Sequence, residues 1–222
     1  MDTCLTLLHI YIRNEICSRW EEITGAAKSI AYLADASETP AEIRLLNLNK
    51  EKSVTVGLSA DGGESLARAL ALLHEAPRAD SPICKAVREV TAEIKAMEED
   101  LRANNKIALI IILTDGESSD GDVVAALKHL EGMPVQITIR VSSDESSVIE
   151  YWNNVNTAID INVLVLDELE CEGVQIEEVN SWLTYGPALQ RAREYGVVMP
   201  FMDNIDYCQL SQEDIKSVVQ ML

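Results

Sequence analysis

Apolar residues recur along this chain with two periods, and segments of the two kinds alternate. Residues 19–34 place Trp20, Ile23, Ala27, Ile30 and Ala31 on one helical face. Residues 64–75 do the same with Leu66, Ala69, Leu70 and Leu73, and residues 82–103 with Ile83, Val87, Val90, Ile94 and Met97. Short strand-like runs lie between and after them: 5–12 (LTLLHIYI), 42–49 (EIRLLNLN), 53–59 (SVTVGLS), 135–141 (VQITIRV) and 161–166 (INVLVL). The run 106–115 (KIALIIILTD) is different. It holds seven consecutive apolar residues, Ile107 to Leu113, and so predicts a strand buried on both faces. Further helices are expected over 122–130, 145–159, 177–195 with a break near Gly186-Pro187, and 211–222.

Turn and cap residues punctuate the pattern. Asp61-Gly62-Gly63 predicts a turn. Ser81-Pro82 reads as N-cap and first residue of the long helix, where proline is favoured. Ser211-x-x-Asp214 resembles a capping box with Asp in the acidic place. Trp20, Trp152 and Trp182 fall within helical periods and read as core. The acidic run 167–172 reads as a solvated loop. After Asn104 the order is strand, helix, strand, helix, strand, helix. That alternation requires right-handed crossovers, and so a mostly parallel, doubly wound α/β sheet flanked by helices. No linker or internal repeat divides the chain. One domain over residues 1–200 is expected, with 201–222 as a C-terminal tail ending in a short helix.

Composition narrows the chemistry. Aromatics are 5% of the chain against 47% apolar residues, so the core must be aliphatic. Net charge is -19, which repels phosphate backbones and anionic lipid heads and attracts divalent cations or basic protein surfaces. Neither nucleic acid nor bare membrane is expected as a partner. The apolar run at residues 4–12 is too short to span a bilayer and has no basic segment before it, so it reads as a strand or a processing artefact and not as a signal peptide. Cys4, Cys17, Cys84, Cys171 and Cys208 are scattered without a CxxC pair, which suggests reduced thiols and a cytoplasmic setting. Cys84 reads as a buried thiol rather than a nucleophile. His9, His74 and His129 belong to different elements, which argues against a zinc site. No G-x-S-x-G elbow, Walker loop or G-x-G-x-x-G fingerprint is present.

Ligands of open α/β sheets bind at the carboxyl ends of the strands. There the sequence offers Thr114-Asp115-Gly116-Glu117-Ser118-Ser119-Asp120-Gly121, an oxygen-rich loop suited to a hard cation. The alternative reading of the same residues is an acidic strand-to-helix loop in which Asp120 caps the next helix.

The segment IIILTDGESSDGD, residues 110–122, resembles the fourth-strand motif of von Willebrand factor A domains. Arg19-Trp20-Glu21-Glu22 is similar to the opening of that family's first helix, and residues 62–84 to the helix and loop that carry its metal-binding threonine. The resemblance implies a Rossmann-type, three-layer fold and a protein-binding module without enzymatic activity. It also implies a metal-ion-dependent adhesion site holding Mg2+ or Mn2+, to which a partner carboxylate adds a ligand. Carried over residue by residue, Asp115 matches the fourth-strand aspartate, and Ser81 stands where the threonine falls. The family's Asp-x-Ser-x-Ser loop has no clean match. Asp2-Thr3-Cys4-Leu5-Thr6 keeps the leading Asp and the final hydroxyl, with Cys4 in place of the first serine. If instead residues 5–12 form the first strand, the loop is residues 13–18, with Asn14, Glu15 and Ser18 as oxygen donors. Asp2, Thr6, Ser18 and Glu117 are therefore secondary ligand candidates. The rival readings are a metal-free scaffold that kept the fold, and a metal-assisted hydrolase using Asp115 and Glu117.

Overall fold

In the computed structural model, residues 4–9, 18–46, 53–58, 61–74, 81–196, 202 and 205–221 are described. Their elements in chain order are β1 (Cys4–His9), α1 (Ser18–Ala36), β2 (Ala41–Leu45), β3 (Ser53–Val56), α2 (Glu64–Leu72), α3 (Ile83–Ala103) and β4 (Ala108–Thr114). There follow α4 (Val123–Leu127), β5 (Val135–Val141), α5 (Ser146–Thr157), β6 (Asn162–Leu166), α6 (Leu169–Val179), α7 (Pro187–Glu194) and α8 (Gln212–Met221).

The strands form one six-stranded sheet in the order β3-β2-β1-β4-β5-β6. β1 pairs in parallel with β2 and with β4, and β4–β5 and β5–β6 are parallel too. β3 runs antiparallel to β2. Few residues separate those two strands, too few for the crossover that a parallel pair needs. The chain moves outward from β1 to β2 and β3, then returns to the other side of β1 to lay down β4, β5 and β6. The order therefore reverses between β1 and β4, and the crevice at their carboxyl ends is the switch point of the sheet.

Helices cover both faces, and β4 shows why its sequence carries no alternation. Ala108, Ile110 and Ile112 pack into the core shared with α3, α4 and α5. Leu109, Ile111 and Leu113 pack into the opposite core, with α1, α2, β2 and β3. Every residue of β4 is buried.

Several expectations need correction. The acidic run 167–172 is not a solvated loop: α6 starts at Leu169, and Asp167 and Glu172 are buried. The break expected near Gly186-Pro187 is present, with α7 beginning at Pro187, where proline suits the first turn, but the stretch before it is helical only to Val179, the end of α6. Trp152 is fully buried and Trp20 packs against the α1 core, but Trp182 is 45% exposed. β1 is described over Cys4–His9, and residues 10–12 of the expected strand lie outside the described residues. Met202, Ile205, Leu210 and Val218 share a third apolar cluster with Ile176, Leu183 and Leu189, so the C-terminal segment packs against α6 and α7. The capping box holds. Asp214 N donates to Ser211 Oγ at 3.2 Å, and Ser211 N to the Asp214 carboxylate at 3.0 Å. No helix among the described residues is long and apolar enough to cross a membrane.

Candidate functional site

β4 delivers Thr114 and Asp115 to the switch point. Pairing of Leu113 with His9 places the end of β1 beside them. Asp115 is buried, 7% exposed, at the start of the loop. The loop is held from three sides. Thr114 Oγ1 donates to Gly116 O at 2.9 Å, and Thr114 O accepts from Ser142 N, beyond β5, at 2.8 Å. From α5, Trp152 Nε1 donates to Gly116 O at 3.1 Å.

The third tie reaches α3. Asp120 accepts from Cys84 N at 2.9 Å and from Lys85 N at 2.8 Å. It also accepts from Ser118 Oγ at 2.8 Å, and Arg88 lies 3.8 Å away. Ser119 N donates to Ser81 O at 2.9 Å. Partial burial pushes the Asp120 pKa up, but hydrogen bonds from Ser118, Lys85 and Cys84 outweigh it and the net direction is down. Asp120 therefore stands as a carboxylate that caps a helix. The helix is not the one sequence reasoning assigned: Asp120 caps α3, whereas α4 is capped by Asp122, which accepts from Ala125 N at 3.2 Å.

Ser81 is corrected with it. The helix begins at Ile83 with Pro82 at the N-cap position and no side-chain cap from the preceding residues. The hydroxyl of Ser81 is fully buried and has no hydrogen-bond partner among the described residues. The cap role expected of Ser81 has passed to Asp120, which leaves a buried oxygen beside the loop that follows β4.

The remaining candidates are dispersed. Glu117 is exposed on the loop. Thr6 sits in the middle of β1, in register with Ile110, four positions before Thr114. Asp2, Asn14 and Glu15 lie outside the described residues, and Ser18 is the first residue of α1, its side chain outside the description. No three His, Cys, Asp or Glu side chains among the described residues form a group able to hold a metal. A cation here would rely on hydroxyl and water oxygens beside Asp115. Cys84 is buried, and burial pushes its thiol pKa up, the opposite of an activated nucleophile. His74 and His129 are exposed.

A separate cavity of about 320 Å3 opens along the same edge between α1, the end of β5 and α7. Its buried charges are matched within the chain. Arg140 pairs with Glu22 and, at 3.0 Å, with Glu194, which also pairs with Arg191. Ser142 Oγ donates to Glu22 at 2.7 Å. Glu168 on the rim has its pKa raised by burial first, then by Glu22. Sequence reasoning missed this network and the Trp152 bond. Their partners lie far apart in the chain, and a charged residue inside an apolar strand, Arg140, was the one visible signal.

No protein-family model matches the chain, and no curated protein is similar enough to count as a relative.

Proposed function

We propose that this chain is a protein-interaction module of the von Willebrand factor A type. Its partner docks over the carboxyl edge of the sheet near Ser81 and Asp115, with Mg2+ or Mn2+ bridging the two surfaces. The observation that carries this reading is the Ser81 hydroxyl, buried and unpartnered beside the loop of Asp115. Leaving such a group unsatisfied costs about 1–3 kcal/mol, and a ligand at this position removes that cost. Two further features support it. Asp115 follows the fourth strand at the switch point, and Ser81 comes from the connection leading into α3, the two places the family resemblance requires.

In this reading Asp115 and Ser81 supply oxygen ligands to the cation, and the cation supplies the positive charge on which a partner carboxylate docks. A chain of net charge -19 attracts such an ion. Asp120 contributes no ligand, because both its oxygens are engaged by Cys84, Lys85 and Ser118.

Calorimetric titration with Mg2+ and Mn2+ of the parent protein and of Asp115→Ala tests this. Saturable binding that Asp115→Ala abolishes is expected. A folded parent that takes up neither ion refutes the cation bridge and leaves a metal-free interaction scaffold as the better reading.

A further inference from the structure

We infer that Asp120 is a positioning residue for the Ser81–Asp115 site, acting as the clasp that locks α3 to the loop after β4. The inference rests on the cation reading above and names how that site is held. Ser81 lies just before α3, so the place of its hydroxyl depends on where that helix begins. Two bonds of 2.8 and 2.9 Å from Asp120 to the N–H groups of Lys85 and Cys84 set that place. The bond from Ser119 N to Ser81 O, 2.9 Å, adds a third tie between the same two segments. Ser118 aligns the clasp, donating to Asp120 while its oxygen lies 3.3 Å from Cys84 Sγ.

The local chemistry argues for a dedicated role. A serine before a helix ordinarily caps it with its own hydroxyl. Here a carboxylate from another loop performs the capping, and the Ser81 oxygen is left unused. One consequence is mechanical: loop and helix start move as one body, so two oxygens from distant parts of the chain keep a fixed separation. Groups that orient metal ligands without touching the metal typically contribute about 10–100-fold to metal affinity.

The test compares Mn2+ titration and amide hydrogen exchange in the parent, Asp120→Ala, Asp120→Asn and Asp122→Ala. Asp120→Ala is expected to weaken Mn2+ binding about 10–100-fold and to expose the amides of Cys84 and Lys85. Asp120→Asn keeps one acceptor oxygen and the side chain's size, so it should fall between the parent and Asp120→Ala. It also carries the comparison if Asp120→Ala does not fold. Asp122→Ala loses a helix cap of the same kind on the neighbouring helix and should keep the parent's Mn2+ affinity, which separates positioning from general loss of stability. Equal affinity in the parent and both Asp120 variants, with the two amides exposed, overturns the clasp and leaves the cation site standing. A parent that binds no Mn2+ overturns both.

Discussion

Single residues in this chain are held by backbone that sequence reasoning could not see. Gly57, at the exit of β3, has φ 78°, in the left-handed region. A Cβ there would lie 2.2 Å from Thr39 O and 2.8 Å from Ala34 O, both backbone atoms that cannot swing aside. Gly62 has φ 63° but nothing within 4 Å of its Cβ position. The left-handed backbone alone costs a non-glycine residue about 1–2 kcal/mol, so Gly62→Ala should lose about that much. Gly57→Ala should lose clearly more, because the clash adds to it. Urea unfolding with unchanged m-values checks the ordering; equal losses at the two sites would show that the α1–β2 connection yields easily. The exchange of roles between Ser81 and Asp120 has the same character. A local pattern predicted the cap, and a residue 36 positions from Cys84 supplied it.

At the scale of elements, α6 and α7 are joined by buried charge. Arg193 of α7 is fully enclosed and pairs with Glu172 of α6, itself buried. Its Nη2 also lies 3.7 Å from Asp206 of the C-terminal segment. Asn180, at the end of α6, donates to Ile205 O and Cys208 O at 2.8 and 2.9 Å and accepts from Leu210 N at 2.9 Å. Removing one partner of a buried ion pair typically costs about 3–5 kcal/mol, because the other charge is left uncompensated. Arg193→Met should therefore destabilise the fold by about that amount. Arg193→Met combined with Glu172→Gln should cost less than the sum of the single losses. Denaturant midpoints of the three variants read the coupling; strict additivity would mean that the pair is solvated. The same pairing explains why an acidic run that resembled a loop is the start of a helix. Glu172 has a cationic partner that only the packing of α7 brings to it.

For the whole molecule, the surplus of carboxylates sets the response to pH. Asp167, Glu168, Glu172 and Asp206 all have raised pKa values, with burial the leading cause in each. A raised carboxylate pKa means that the folded state binds the proton more readily than the unfolded chain, so stability falls as pH rises through the folded value. Asp61 and Asp120 are shifted the other way, and what they contribute is lost only below the ordinary carboxylate range. As pH falls from neutral towards the ordinary carboxylate range, protonation of these four groups should therefore raise the urea midpoint. Asp167→Asn, which keeps the acceptor for Glu168 N, should flatten that rise. A parent midpoint that drops over the same interval would contradict the assignment of these groups as buried and raised.

Much of the architecture was legible in the sequence because it follows from periodicity. The unbroken apolar run of β4 predicted a strand covered on both faces, and its residues divide between two cores. The strand–helix alternation predicted the parallel sheet, and β5 falls on the residues expected. These features are local, since side-chain spacing along a strand or helix decides which face is buried. The oxygen-rich loop after β4 was legible for the same reason. What tertiary structure decided is the pairing between distant segments: β3 folded back on β2, Asp120 on α3, Trp152 on Gly116, and Arg193 between α6 and the C-terminal segment. A polar group's role depends on which partner the fold places within hydrogen-bond reach, and no spacing along the chain encodes that distance. Ser81 was already a candidate from the family resemblance; what the fold adds is a buried, unpartnered hydroxyl, because Asp120 takes over the cap.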